Sequence, residues 1–211
     1  AVRASATVTF IGDKLGLYTG AAADHVGELA FRALGVEALA EADLLPAARL
    51  LDASLIDAWL PPRPRSAHKG ECGHVLILGG ALGFGGAALL AAEACARLGA
   101  GKVSLATAPE HVTASLVRRP EVMAHGVRGA ADLGALPGLA DVLVVGPGLG
   151  QGSWGQAMLQ AALEAGRPLV VDADALNLLA ERFPGRRRDD WILTPHPGEA
   201  ARLLGCTAAE V

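Results

Sequence analysis

The chain has 211 residues, 52% of them hydrophobic and 19% charged, so it is long and apolar enough to bury an α/β core and is unlike a disordered chain. A formal net charge of -4 and a pI near 5.9 give no electrostatic support to a nucleic-acid partner or an anionic membrane surface. Three cysteines without a CxxC pair exclude a disulfide framework or a zinc knuckle and favour the cytoplasm.

The first part of the chain differs in pattern from the rest. Residues 7–10 alternate between polar and apolar side chains, as an edge strand does. Residues 41–59 have helical periodicity, and no strand is predicted between these two segments. The stretch Leu60-Pro-Pro-Arg-Pro-Arg65 is extended, because proline removes backbone donors and pushes its neighbours out of helix. We therefore expect a first domain segment over residues 1–36, a linker and lead-in helix over 37–66, and a second domain over 67–211.

From His74 onward, short apolar runs alternate with helical stretches, which predicts a doubly wound, mostly parallel α/β sheet with helices on both faces. The predicted strands cover residues 75–78, 102–107, 141–145, 168–172 and 191–194. The predicted helices cover residues 86–98, 110–118, 153–164, 175–182 and 198–204. The most apolar stretch, residues 87–98, is too short to span a membrane. Ligands bind such sheets outside the carboxyl ends of the strands, so the site is expected in those loops.

Two glycine-rich loops follow predicted strands. The first glycine loop, residues 79–86, has five glycines in eight positions before a helix, an arrangement that lets a ligand approach the backbone and offers free N–H groups to an anion. The second glycine loop, residues 146–150, presents backbone donors at the same edge. One shared pocket is expected. Tight turns without a ligand remain the alternative for both loops.

Polar side chains follow the next two strands. Asp172 either holds a metal such as Mg²⁺ or caps a helix, and for Asp174 we favour capping of a helix that begins at residue 175. His196, between two prolines, is expected to be held rigidly at the pocket rim, with Glu199 in the following helical turn. The remaining histidines show no metal-ligand spacing and are expected to be structural or solvated: His25, His74, His111 and His125.

The basic run Arg186–Arg188 is followed at once by Asp189 and Asp190, which predicts an exposed loop with local charge balance. Neither a G-x-S-x-G elbow nor a GxxxxGK[ST] loop is present, which argues against a serine hydrolase and a Walker-type nucleotidase.

Four segments in this order closely resemble the NAD(P)H-hydrate dehydratase family of the ribokinase-like superfamily, over about residues 68–205: HKGECGHVLILGGALGFGGAALLAAEACARLGAG, RRPEVMAH, GPGLG with VVDADALN, and ILTPHPGEAARLLG. The resemblance implies a lyase that repairs hydrated NADH or NADPH by dehydration at the expense of ADP. It implies that the hydrated cofactor touches Gly86, Ala87, Gly148 and His196. It also associates Glu199 with Mg²⁺ and phosphate.

The opening segment, residues 7–35, resembles the last strand and turn of the NAD(P)H-hydrate epimerase domain of bifunctional repair enzymes. The dehydratase family carries a G-T-G-D loop with the catalytic aspartate, and nothing of that kind follows Gly205. The segment Thr207-Ala-Ala-Glu210 has the pattern of a capping box that opens a helix. We therefore expect a chain truncated at both ends and inactive by itself, with the base aspartate beyond Val211 and the epimerase aspartate and K⁺ site missing.

Two alternatives stay open. A vitamin-precursor kinase of the same superfamily would share the fold and the phosphate loops, although the HKG opening and HPGE in place of N-x-x-E disfavour it. A non-catalytic nucleotide-binding module is the other. The expected partners are NADH or NADPH hydrate and ADP, without nucleic acid or membrane, in a homo-oligomer.

Overall fold

The computed structural model describes residues 2–36 and 45–211 and divides into two compact units, Ala1–Arg63 and Pro64–Val211. In the first unit, strands β1 (Ala6–Phe10) and β2 (Glu28–Arg32) pair in parallel as a two-stranded sheet. The predicted edge strand over residues 7–10 is therefore confirmed. Its partner β2 was not predicted, because its sequence ELAFR has no β-branched side chain.

The predicted helix over residues 41–59 is too long at its start. Residues 41–44 lie outside the described part of the chain, and the helix runs from Ala53 to Trp59. Asp52 has an extended backbone and its carboxylate accepts the N–H of Ser54 at 2.9 Å. Asp52 therefore caps a helix that begins after it, and residues 45–52 are not helical.

The strands of the second unit, β3 to β8, are His74–Leu78, Lys102–Thr107, Met123–Gly126, Val142–Val145, Leu169–Val171 and Trp191–Leu193. They form a six-stranded sheet in the order β5-β4-β3-β6-β7-β8, and every pairing is parallel. The predicted parallel α/β sheet is confirmed, with β5 as a strand that the sequence pattern missed. The helices of this unit are Gly85–Arg97, Val112–Arg118, Leu136–Leu139, Ser153–Glu164, Ala173–Arg182 and Pro197–Leu204.

Alternate side chains of the central strand β3 enter two separate cores. Leu76 and Leu78 pack with the helix Ser153–Glu164, whereas Ile77 packs with the helix Gly85–Arg97 on the other face. All three side chains are fully buried. Helices therefore cover both faces of the sheet, as predicted. No helix in the described residues is long and apolar enough to cross a membrane.

The strand order reverses between β3 and β6. From β3 the chain moves outward through β4 to β5, then returns to the other side of β3 for β6, β7 and β8. Such a reversal leaves a crevice at the carboxyl ends of the two central strands, where sheets of this kind bind ligands. The first glycine loop follows β3 and the second follows β6, so both lie at this switch point.

Candidate ligand-binding site at the switch point of the sheet

Two backbone hydrogen bonds join the glycine loops. The N–H of Gly80 donates to the carbonyl of Pro147 at 3.0 Å, and the N–H of Ala81 donates to the carbonyl of Gly148 at 2.7 Å. The expectation that the loops share one edge of the sheet is therefore confirmed. Together they form one continuous backbone surface over the ends of β3 and β6.

Glycine is required where the loops touch. Gly148 has φ +60, and a Cβ built there would collide with the carbonyl oxygen of Phe84. A Cβ on Gly79 would collide with the carbonyl oxygen of Pro147. A residue with a side chain at either position would therefore separate the two loops. Gly86 is different, since a Cβ built there meets nothing within 4 Å and points into open space.

The helix Gly85–Arg97 begins at the centre of this surface. Its N-cap residue, Phe84, provides no side-chain acceptor. The first N–H groups of a helix have no partner within the helix, and they carry the positive end of its dipole. Gly86 and Ala87 are both exposed in this first turn. The arrangement suits an anionic ligand such as a phosphate group.

The end of β7 contacts the second glycine loop through Asp174. One carboxylate oxygen accepts the N–H of Gly150 at 2.9 Å, and the other accepts the amide N–H of Gln151 at 3.1 Å. Our expectation that Asp174 caps a helix beginning at residue 175 is wrong, because the helix begins at Ala173 and places Asp174 inside its first turn. Asp174 instead fixes the second glycine loop.

Asp172 is the residue at the N-cap position of that helix, although its side chain makes no capping hydrogen bond. Its carboxylate instead accepts the hydroxyl of Thr194, at the end of β8, at 2.7 Å. A Cβ on Gly146 would collide with the Asp172 carbonyl oxygen, so the second glycine loop and the end of β7 also lie in direct contact. Asp172 therefore links the ends of β7 and β8 along the same edge.

His196 and Glu199 form a capping box at the start of the helix Pro197–Leu204. His196 Nδ1 accepts the N–H of Gly198 at 3.0 Å, and Glu199 Oε2 accepts the N–H of His196 at 2.9 Å. An accepting Nδ1 leaves the proton on Nε2, which lies 3.3 Å from Glu199 Oε1. The imidazole is 64% exposed, so a rigidly held ring faces solvent at the end of β8. Its contact with a ligand stays a prediction.

Glu199 does not have the geometry of a free metal ligand. It is only 6% exposed, and both carboxylate oxygens lie against His196 donors. In residues 2–36 and 45–211, no group of three or more His, Cys, Asp or Glu side chains is placed to hold a metal ion. These residues alone do not fit a Mg²⁺ centre, and the metal roles of Glu199 and Asp172 stay predictions.

His111, expected to be structural or solvated, contacts the first glycine loop, and this contact was not predicted. Its Nδ1 lies 3.1 Å from the carbonyl oxygen of Gly80 and 3.3 Å from the hydroxyl of Thr107. A Cβ built on Gly85 would lie 2.6 Å from the ring atom Cγ of His111, so the ring packs on the helix start. The contact spans 31 residues of sequence, and spacing gave no sign of it. The position of His111 just after a strand end was the only available signal.

His68 and His74 lie away from this edge, before and at the start of β3. His68, which precedes the first glycine loop in the HKG motif, lies before β3 and accepts the N–H of Gly70 through Nδ1 at 3.1 Å. The strand β3 separates His68 from the loop. His74 is buried and its Nε2 pairs with the hydroxyl of Ser104 at 2.9 Å, which confirms a structural role. Burial lowers the pKa of His125, with a further contribution from His74.

Two charged groups lie outside the site. Glu93 accepts hydrogen bonds from Arg118 and Arg119 and pairs with Arg97 at 2.9 Å. The hydrogen bond from Arg119, followed by the charges of the three arginines, lowers the pKa of Glu93 to about 2. Arg188 pairs with Asp190 at 2.6 Å, and the run Arg186–Arg188 is exposed as predicted.

The segment after the last helix is a turn. The Thr207 N–H and hydroxyl both donate to a Glu210 carboxylate oxygen at 2.8 Å, and the Glu210 N–H donates to the Thr207 carbonyl at 3.0 Å. The reach of Glu210 back to the Thr207 N–H is one half of the expected capping box. Residues 208–210 form a turn without a helix.

Known proteins share this fold and these motifs. The family model described as NAD(P)H-hydrate dehydratase matches residues 75–210. A bifunctional NAD(P)H-hydrate repair enzyme of Coxiella burnetii is 51% identical over 211 residues, which are 100% of this chain and 43% of that protein. The ADP-dependent (S)-NAD(P)H-hydrate dehydratase of Streptococcus thermophilus is 38% identical over 164 residues, 76% of this chain and 59% of that protein.

Among solved structures, the ADP/ATP-dependent NAD(P)H-hydrate dehydratase of Bacillus subtilis, co-crystallised with ATP and Mg²⁺, is 32% identical with a TM-score of 0.59. The match covers 72% of this chain and 54% of that one. The chain thus spans less than half the length of the Coxiella relative and about half of the Bacillus structure. The family model and the Coxiella relative agree, and the chain belongs to the NAD(P)H-hydrate dehydratase family.

Proposed function

We propose that this protein acts in the repair of hydrated NADH and NADPH, as a lyase that removes water from the damaged nicotinamide ring with ADP as co-substrate. The observation that carries the proposal is the pair of glycine loops, joined by two backbone hydrogen bonds at the switch point beside an uncapped helix start. The ADP dependence is carried over from the Streptococcus thermophilus relative.

The two loops provide complementary parts of the binding surface. The first-turn N–H groups of the exposed residues Gly86 and Ala87 would supply donors and a positive dipole for a phosphate group. Gly148 packs against the backbone of Phe84, which keeps the second glycine loop directly beside this helix start. We assign the hydrated cofactor to Gly86, Ala87, Gly148 and His196.

His196 supplies a fixed polar edge to this surface. Its capping contacts hold the ring, and its Nε2 lies 3.3 Å from Glu199 Oε1. We propose that a hydroxyl or amide of the hydrated ring contacts this imidazole. Glu199 then acts through His196, by holding its orientation and tautomer.

Elimination of water needs a base within hydrogen-bond reach of the proton that leaves. The carboxylates that the described structure places at this edge are already engaged: Asp172 with Thr194, Asp174 with Gly150 and Gln151, and Glu199 with His196. These residues bind and orient, and we propose that the base is an aspartate outside residues 1–211. Mg²⁺ prefers phosphate and carboxylate oxygens, so when bound it would neutralise charge on the nucleotide phosphates, and a contact of the metal with Asp172 or Glu199 stays a prediction.

The first unit carries a separate proposal. Its resemblance to the last strand and turn of an epimerase domain and the bifunctional name of the Coxiella relative support an accompanying epimerase activity. A homo-oligomer and a cytoplasmic location stay predictions.

The test measures binding and turnover separately. Hydrated NADH and ADP are added to the purified 211-residue chain, binding is followed by calorimetry, and turnover by recovery of the nicotinamide absorbance, with the Coxiella enzyme as positive control. We expect binding without turnover from the chain. Turnover at the rate of the control would place the base within these residues. Absence of binding would refute the dehydratase proposal. ATP-dependent phosphorylation of a hydroxymethyl pyrimidine would refute it in favour of a kinase.

A further inference from the structure

We propose that His111 is a positioning residue that holds the first glycine loop in its ligand-binding shape, acting together with Thr107. The inference rests on the proposed function for the ligand that the loop receives, but the geometry of the loop itself can be tested without that ligand. No motif in the sequence pointed to either residue.

The first contact is with the Gly80 carbonyl oxygen. It accepts the hydroxyl of Thr107 at 2.8 Å and the N–H of Ala108 at 3.1 Å, and His111 Nδ1 lies 3.1 Å away. A carbonyl oxygen only accepts, so an unprotonated Nδ1 at this distance would set two lone pairs against each other. Nδ1 therefore carries the hydrogen and donates to Gly80. The assignment follows from the neighbours of the nitrogen.

The second contact is with the other end of the loop. The His111 ring packs on the Cα of Gly85, where an added Cβ would lie 2.6 Å from the ring. At Gly80, with φ +71, an added Cβ would lie 2.5 Å from the Thr107 hydroxyl oxygen. Both ends of the loop thus rest on this pair of side chains, which comes from β4 and the turn after it.

The middle of the loop has little protein around it. Leu82 is 68% exposed, Phe84 is 63% exposed, and a Cβ on Gly83 would meet nothing within 4 Å. The conformation of residues 81–84 therefore depends on the hydrogen bond from the Phe84 N–H to the Ala81 carbonyl, on the contact with the second glycine loop and on what holds the loop at Gly80 and Gly85. Removal of His111 would loosen the hydrogen bonds from Gly80 and Ala81 to the second glycine loop, and the free N–H groups at the helix start would lose their fixed direction.

Three substitutions separate the hydrogen bond from the ring. His111→Ala removes both. His111→Asn keeps an N–H donor near the position of Nδ1, because the asparagine amide nitrogen branches from the same carbon, and His111→Phe keeps a ring without the donor. His68→Ala is the matched control, since it also removes a contact from Nδ1 to a backbone glycine but lies before β3, away from the loop.

The primary measurement is amide hydrogen exchange of residues 79–87 in the ligand-free 211-residue chain, with thermal unfolding as a check of the fold. We expect exchange at Gly80 and Ala81 to accelerate about two- to tenfold in His111→Ala, the range that one hydrogen bond supplies. His111→Asn restores exchange to within about twofold of the wild-type rate, His111→Phe does not, and His68→Ala changes nothing in this segment.

Unchanged exchange in His111→Ala, or failure of a folded His111→Asn to restore it, would overturn the proposal. Should His111→Ala unfold, the comparison of His111→Asn with His111→Phe decides the question, and equal loop exchange in those two would also overturn it. Calorimetry with hydrated NADH then tests the consequence, an affinity reduced in His111→Ala and recovered in His111→Asn. If the wild-type chain does not bind hydrated NADH, the proposed function fails while the exchange data still decide the role of His111.

Discussion

The substitution Gly86→Ala separates ligand binding from stability. Gly86 is the second residue of the helix Gly85–Arg97, its φ lies outside the left-handed region, and an added Cβ meets no atom within 4 Å. Alanine restricts the unfolded chain, so the substitution raises the free energy of unfolding by about 0.4–1 kcal/mol. For a domain of this size that corresponds to a rise of about 1–4 °C in Tm.

Binding should change in the opposite direction, because the new methyl group occupies the space where a ligand reaches the helix start. Loss of one hydrogen bond to a charged phosphate costs about 1.5–3 kcal/mol, which is roughly a 10- to 100-fold loss of affinity for hydrated NADH. Calorimetry and thermal unfolding of the same sample measure both effects. Gly138→Ala is the control, since its Cβ also meets open space but lies before β6, away from the glycine loops. Unchanged affinity in Gly86→Ala, or a lowered Tm, would refute this reasoning.

Three further predictions concern single contacts. The pKa of Glu93 is lowered from 4.5 to about 2, so its ionised form stabilises the fold above about pH 4.5, and this contribution is lost as the pH falls towards 2. In chemical unfolding, Glu93→Gln should have a lower free energy of unfolding than the wild type at neutral pH, and this difference should disappear in acid. Asp174→Ala leaves the Gly150 N–H without its acceptor and should lower the free energy of unfolding by about 1 kcal/mol, with faster amide exchange at Gly150; unchanged exchange there would contradict the contact. His196→Ala removes the helix cap and should lower the free energy of unfolding by about 0.5–2 kcal/mol. His196→Asn should restore stability but not affinity for hydrated NADH. Full affinity in His196→Asn would show that the histidine acts only as a helix cap.

The sheet was predictable because its strands have a strong local signal. The runs that became β3, β4 and β6 contain valine, leucine or isoleucine, and a glycine or alanine follows each run. This change of residue type marks where each strand ends. The strand β5, with the sequence MAHG, carries no such signal and is a strand only because β4 offers it a partner. Pairing to an existing edge overrode weak local preference.

The site was predictable to the extent that it follows the ends of strands. The shared edge of the two glycine loops follows from the parallel sheet, whereas the hydrogen bonds that join them depend on the strand order, which places β6 next to β3. The role of Asp174 depended on a helix start two residues earlier than predicted, with Ala173 at φ 47. The contact of His111 with Gly80 joins residues 31 apart, so only the folded chain reveals it.

The central claim is that the two glycine loops form one binding surface for the hydrated cofactor. The most direct test is titration of the isotope-labelled 211-residue chain with hydrated NADH, followed through the chemical shifts of its backbone amides. Intact NADH and a hydroxymethyl pyrimidine serve as comparison ligands. A surface cavity of about 560 Å³ beside β8, lined by Leu179, Phe183 and Trp191 among others, provides an internal reference site.

We expect the largest shift changes to occur together at Gly86, Ala87, Gly148 and His196 and to saturate with one binding constant, and we expect intact NADH and the pyrimidine to produce weaker changes. Changes confined to one loop, changes centred on the cavity beside β8, or a stronger response to the pyrimidine than to hydrated NADH would contradict the central claim.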